Sequence, residues 1–120
     1  MRLAIAGVPK AGKTTAAKAM AGAVYHTDDV KDREWSEASA EVATWLDRPG
    51  PWVVEGVAVP RALRKWMAAH PEGKPADRVK WMGTPRVELT RGQDAMAKGC
   101  QKVMREIVPE LERRGVVVET

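Results

Sequence analysis

Eight residues near the start of the chain, Gly7-Val8-Pro9-Lys10-Ala11-Gly12-Lys13-Thr14, combine the side chains and the backbone freedom needed to hold a polyphosphate. Glycines at the two ends of the loop let backbone N–H groups turn inward around an anion, and Lys13 brings a positive charge to the β and γ phosphates. The Thr14 hydroxyl supplies an oxygen ligand of the kind magnesium takes, and Thr15 follows it in the contact set. Local context fits this chemistry. Leu3-Ala4-Ile5-Ala6 reads as a short buried strand before the loop, and the alanine-rich stretch from Lys13 to Ala23 reads as a helix after it. A helix starting there adds unpaired N–H groups and the positive end of its dipole to the anion site. A glycine turn with an incidental lysine is the plain alternative, but it does not require both flanks. The expected ligand is a nucleoside triphosphate, with ATP and Mg2+ as the cofactor pair.

Further elements must follow if the loop is to be held in a fold. Val24-Tyr25-His26 reads as a second strand, after which Asp28 or Asp29 can cap a helix by accepting its first N–H groups. Trp35, Ala38, Val42, Trp45 and Leu46 recur at three- and four-residue intervals and predict one buried stripe, ended by Arg48-Pro49-Gly50-Pro51. Trp52-Val53-Val54-Glu55-Gly56-Val57 is an apolar run broken by a single acid, as in a central strand covered on both faces. A helix is expected over Arg61 to His70 with Leu63, Trp66 and Met67 inward. The turn Pro71 to Pro75 then leads to a strand around Arg78 to Met82. Thr90 and Gln93 have capping-box spacing. Met96, Cys100, Val103, Met104, Ile107 and Leu111 mark one face of a long last helix that Pro109 is expected to kink or split. Gly115 is a helix stop and Val116-Val117-Val118 a final strand. Alternation of this kind specifies a parallel sheet flanked by helices with right-handed connections.

The stretches Gly7 to Thr14, His26-Thr27-Asp28-Asp29 and Trp52-Val53-Val54-Glu55-Gly56 resemble the small P-loop kinases. Within that group they look like the polynucleotide kinases and zeta-toxin-type kinases that phosphorylate hydroxyl groups, here as a minimal or phage-type member. The resemblance runs through most of the chain in order, and the phosphate loop is its specific part. It implies a three-layer α/β sandwich with a five-stranded parallel sheet in the order 2-3-1-4-5, in one domain over 1–120. It further implies that an aspartate after the second strand is the general base on the acceptor hydroxyl, with Asp29 favoured over Asp28, and that Arg33, one turn on, holds the acceptor. Glu55 matches the third-strand acid that contacts magnesium, a place where Asp is usual. Arg86 and Arg91 fall where related kinases place a lid of phosphate-clamping arginines. The lid is short here, so the clamp is expected from Arg91 first, with Gln93 or Lys98 as alternatives. Each of these residues also has a plain reading: capping for Asp28 and Asp29, an ion pair for Glu55, solvation for the cations.

Composition sets the outer limits. With 44% apolar and 30% charged residues and no low-complexity tract, the chain resembles an ordinary globular protein. No apolar run approaches the roughly 20 residues that cross a bilayer. Met1-Arg2 leads into no apolar region of signal-peptide length, and a cytoplasmic location is expected. Cys100 is the only cysteine, which excludes an internal disulfide or a cysteine zinc cluster and suggests a core position. The net charge of +4 is concentrated in residues 61–120, which hold 13 Lys/Arg against 8 Asp/Glu, yet no basic run argues strongly for nucleic acid. The five tryptophans read as core, His26 as a possible acceptor contact and His70 as a helix-end residue.

The function expected is therefore transfer of the γ-phosphate of ATP to a hydroxyl of a small molecule, nucleoside or nucleic-acid end. A nucleoside monophosphate kinase is the alternative within enzymes, but its acceptor needs facing arginines and leaves Asp28 and Asp29 without a task. A nucleotide-binding switch or accessory protein with slow hydrolysis fits the short lid. A truncated relative that keeps only the nucleotide site is a further reading. No Asn-Lys-x-Asp segment is present, so by resemblance ATP or dATP is favoured over GTP.

Overall fold

The computed structural model describes residues 2–7, 23–26, 35–48, 51–82 and 90–119. Within them the chain forms β1 (Arg2–Gly7), β2 (Ala23–His26), α1 (Trp35–Trp45), β3 (Trp52–Gly56), α2 (Val59–Ala69), β4 (Arg78–Met82), α3 (Arg91–Arg113) and β5 (Val117–Glu119). The strands make one parallel sheet in the order β2-β3-β1-β4-β5.

β1 and β3 lie at its centre, and their residues are buried almost throughout. Alternation along a strand sends neighbouring side chains to opposite faces. One face carries Ala4, Ala6, Trp52, Val54 and Val79, joined in a single core with Val42 of α1, Leu63 of α2 and Leu111 of α3. The small side chains of β1 allow close approach of helices there. The other face carries a separate cluster of Leu3, Ile5 and Val53 with Met82 against it. The steps β2 to β3, β3 to β4 and β4 to β5 all run in one direction across the sheet, so right-handed crossovers put α1, α2 and α3 on the same face.

The apolar stripe predicted for α1 is buried at Ala38, Val42, Trp45 and Leu46, the last just beyond the helix end. The start of this helix before Trp35 and the Trp35 side chain lie outside the described residues, as does the helix expected over Lys13 to Ala23. α2 starts two residues before the expected Arg61, at Val59, because Pro60 occupies the first turn, where its missing N–H breaks no bond. It stops at Ala69, and His70 is extended with its Nδ1 2.8 Å from the Trp66 carbonyl oxygen. Trp45, Trp52 and Trp66 are buried and Trp81 packs half-buried on the core. The Trp52 indole N–H donates to the Arg48 carbonyl and that of Trp66 to Asp47, each at 2.9 Å, so neither polar edge is left unpaired.

α3 departs from expectation at Pro109. The helix continues from Arg91 to Arg113, and Pro109 does not split it. A proline in a helix interior costs about 3 kcal/mol through its lost N–H and its clash with the preceding turn. Val103, Met104 and Ile107 before it and Leu111 after it are all buried, and burying one such side chain is worth about 1.5–3 kcal/mol, so tertiary packing outweighs the local penalty. The helix ends in a Schellman arrangement: Val116 N–H donates to the Leu111 carbonyl, Gly115 N–H to that of Glu112, and Gly115 takes φ +84°. The expected strand Val116 to Val118 is displaced by one residue, since Val116 is used to close this cap. None of the described helices is long and apolar enough to cross a membrane.

Charged groups fasten the ends. Arg114 is almost wholly buried and its guanidinium donates to the carbonyls of His70 at 2.8 Å, Met67 at 3.3 Å and Gly73 at 3.2 Å, capping the C-terminus of α2 from the end of α3. Glu110 accepts from Arg113 and Arg114, which draw its pKa down to about 2. Asp77 accepts the backbone N–H of Arg2 at 2.7 Å, and this bond holds its carboxyl below the ordinary value. Both groups have folded-state pKa values below their unfolded ones. The stability they contribute is therefore complete above about pH 5 and is lost as pH falls toward about 2. Melting temperature should drop across that window, and Asp77→Asn should shrink the drop; a melting temperature unchanged between the two limits would contradict these pairings.

Candidate functional site

In an open parallel sheet, ligands bind beyond the carboxyl ends of the strands where successive connections part in opposite directions. Here β1 is followed by β2, which lies on the far side of β3, whereas β3 is followed by β4, which lies on the far side of β1. The crevice so defined is between the ends of β1 and β3. Gly7, the first residue of the phosphate loop, is the last residue of β1. Its Cα is in register with Met82 of β4, while Ala6 is in register with Gly56.

Glu55 sits one residue before the end of β3. Its Cα is flanked by Ile5 of β1 on one side and His26 of β2 on the other, at the usual strand spacing of about 5 Å. Two residues along β1 and one strand across place Gly7 roughly 8 Å from it, Cα to Cα. Glu55 is 2% exposed, on the sheet face of Val53 and Ile5 rather than the face covered by α1 to α3, and it makes an interaction within the protein. A buried carboxylate is costly unless a cation or hydrogen-bond donors compensate it, and its hard oxygens are the donors that magnesium takes. Among the described residues no three His, Cys, Asp or Glu gather into a metal cluster, so Glu55 would have to share such an ion with the phosphates and with Thr14. Gly56 has φ +140°, a backbone state that a side chain disfavours, and there the strand leaves the sheet for the turn into α2.

Arg91 opens α3 and is exposed, with Thr90 as its N-cap: the Thr90 carbonyl accepts the first helical bond, from Asp94 N–H at 2.8 Å. Residues 83–90 connect it to β4, so the cation stands beyond the same end of the sheet as Gly7 and Glu55. Lys98 lies two turns farther down the helix, paired with Asp94 at 3.2 Å, which leaves Arg91 the better placed of the two as a clamp. Val8, Pro9, Lys10, Ala11, Gly12, Lys13, Thr14, Thr15, Asp28, Asp29, Arg33 and Arg86 lie outside the described residues, as does the side chain of Gln93.

One cation near this edge carries no signal in the periodicity. Arg61, in the first turn of α2, places Nη1 3.9 Å from the sulfur of Cys100, and the Cys100 thiol donates to the Val57 carbonyl at 3.3 Å. A Cβ at position 99 would come within 2.9 Å of the same guanidinium, so Gly99 leaves α3 a notch that Arg61 fills. The only sequence hint is a glycine inside an otherwise strong helix. Cys100 is fully buried, as its core assignment expects.

No family model and no curated protein matches the chain. Gly56→Ala should destabilise the fold by about 1–3 kcal/mol through the positive φ alone. Urea denaturation would measure it, and a midpoint equal to wild type would mean that the turn after β3 tolerates a side chain.

Proposed function

We propose that the protein is an ATP-dependent phosphotransferase that moves the γ-phosphate to a hydroxyl group of a small molecule, nucleoside or nucleic-acid end. The observation that carries this reading is that the sequence Gly7-x-x-x-x-Gly12-Lys13-Thr14 begins at the carboxyl end of central strand β1, with the buried acid Glu55 near the end of adjacent β3. The strand order also supports the kinase-like arrangement.

In this reading the backbone of residues 7–14 cradles the phosphates and Lys13 neutralises charge on the β and γ groups. Thr14 and Glu55 hold magnesium, which when bound draws charge from the bridging and terminal phosphate oxygens. Asp29, or Asp28 beside it, accepts the proton of the acceptor hydroxyl as that oxygen bonds to the γ-phosphorus and the bond to the β–γ bridging oxygen breaks, releasing ADP. Arg33 orients the acceptor. Arg91 faces the equatorial oxygens of the transferring group, where a cation stabilises negative charge in the transition state. The short connection from Met82 to Arg91 favours a second reading, a nucleotide-binding switch or accessory protein that hydrolyses ATP slowly because so little chain is present to close over the site. A nucleoside monophosphate kinase is the third.

The deciding experiment follows γ-labelled ATP with magnesium over nucleosides, nucleotides, 5′-hydroxyl oligonucleotides and small alcohols, with free phosphate measured in parallel. Label on an acceptor supports transfer and identifies the acceptor class; tight ATP binding with only slow phosphate release supports the switch. Lys13→Ala should weaken ATP binding by about 10- to 100-fold, the worth of a charge-assisted bond, with the circular dichroism unchanged. Asp29→Asn should keep ATP affinity and lose about 10²–10⁴-fold in transfer rate, and full activity would return the base to Asp28 or remove it.

A further inference from the structure

α3 turns its apolar residues to the core and a row of cations to solvent. Arg91, Lys98, Lys102 and Arg105 are all exposed. At 3.6 residues per turn they fall within an arc of about 60° and along a line about 21 Å long. Acids near the row are engaged elsewhere: Glu106 pairs with Arg64 of α2 at 3.2 Å, and Glu110 with Arg113 and Arg114. Arg91, Lys102 and Arg105 have no ion-pair partner among the described residues. Lys98 does pair with Asp94, but the two side chains are 76% and 56% exposed, and an exposed pair at this spacing is worth only about 0.3–0.5 kcal/mol. A phosphate can replace that acid readily.

We propose that this outer face of α3 is a docking track for the phosphate backbone of a single-stranded nucleic acid. The row is one side chain wide, so it matches one line of phosphates rather than the two borders of a groove. Its charge agrees with the bias of residues 61–120, 13 Lys/Arg against 8 Asp/Glu. The alternative polyanion, an acidic membrane, would be served by apolar side chains beside the cations. The one large apolar side chain exposed among the described residues is Val117, on β5 and not on α3. The track starts at Arg91, beyond the same sheet end as Gly7 and Glu55, so a strand lying on it has one terminus directed to that edge. That this terminus is the phosphate acceptor rests on the transfer reading; the docking does not.

The test is fluorescence anisotropy of a labelled oligothymidylate of about 16 nucleotides, without ATP or magnesium, across a salt series. Binding is expected with Kd of about 10⁻⁴–10⁻⁶ M, and log K should fall against log salt with a slope of about −2 to −3, the value for three or four phosphates on a single strand. Lys102→Glu with Arg105→Glu should weaken binding about tenfold or more and flatten the slope, and the Gln pair should do so to a smaller extent, while helix content and ATP affinity stay at wild-type values. Salt-independent binding, wild-type affinity in the Glu pair, or capture by phosphatidylserine vesicles with none by the oligonucleotide would overturn the proposal. Docking without label transfer from γ-labelled ATP would sustain this surface and count against the transfer reading, so the two fail separately.

Discussion

A parallel strand buried on both faces has no lateral surface on which to present chemistry, and β1 and β3 are strands of this kind. Their backbone polar groups are spent on neighbouring strands, and their side chains are spent on two apolar clusters. Whatever they contribute to a ligand must come from their ends, where the ladder stops and the chain turns away. Gly7 closes β1 and Gly56 closes β3, both residues that let the backbone leave the sheet without a side chain in the way. Glu55 is the one buried acid among the described residues, and it is placed a single residue before that exit. The same double coverage that excludes polar groups from the strands therefore concentrates them at one edge.

That edge is held in place by contacts between helices as much as by the sheet. Arg114, at the far end of α3, satisfies carbonyls that α2 leaves open at its C-terminus. Near the other end of the pair, Arg61 of α2 lies in the notch at Gly99 and touches Cys100, which in turn binds the Val57 carbonyl in the turn after β3. α3 is thus tied to α2 at both ends, and its position relative to the end of β3 is set by short-range polar contacts. Continuity of α3 through Pro109 belongs to the same account, since the apolar residues on both sides of the proline are packed against one core. With that inner face committed, the outer face is left for charge.

The phosphate-loop pattern and the buried acid support each other because they arise from different physical demands. The loop needs glycines for backbone geometry and a lysine for charge. The acid demands compensation for its burial. Strand order relates the two, since β1 and β3 are neighbours although 44 residues separate the end of β1 from the start of β3. The remaining candidates, Asp28, Asp29 and Arg33, belong to the segment that follows β2, the other neighbour of β3 in the sheet.

Much of the element pattern was legible in the sequence because periodicity reports burial along one dimension. Three- and four-residue spacing marked the inner faces of α1, α2 and α3, an apolar run marked β3, and Glu55 stood out because a lone acid in such a run is costly. The phosphate loop was legible for a related reason: its glycines, lysine and threonine act within eight consecutive residues. Neighbour relations among strands have no such local trace, and the expectation for them came from resemblance. Tertiary structure alone decided that α2 begins at Val59, that α3 passes through Pro109, that Gly56 takes a positive φ, and that Arg61 meets Cys100 across 39 residues. Each of these depends on groups distant in the chain, whose contacts form only after the loops between them have closed, and a pattern read residue by residue contains no term for that closure.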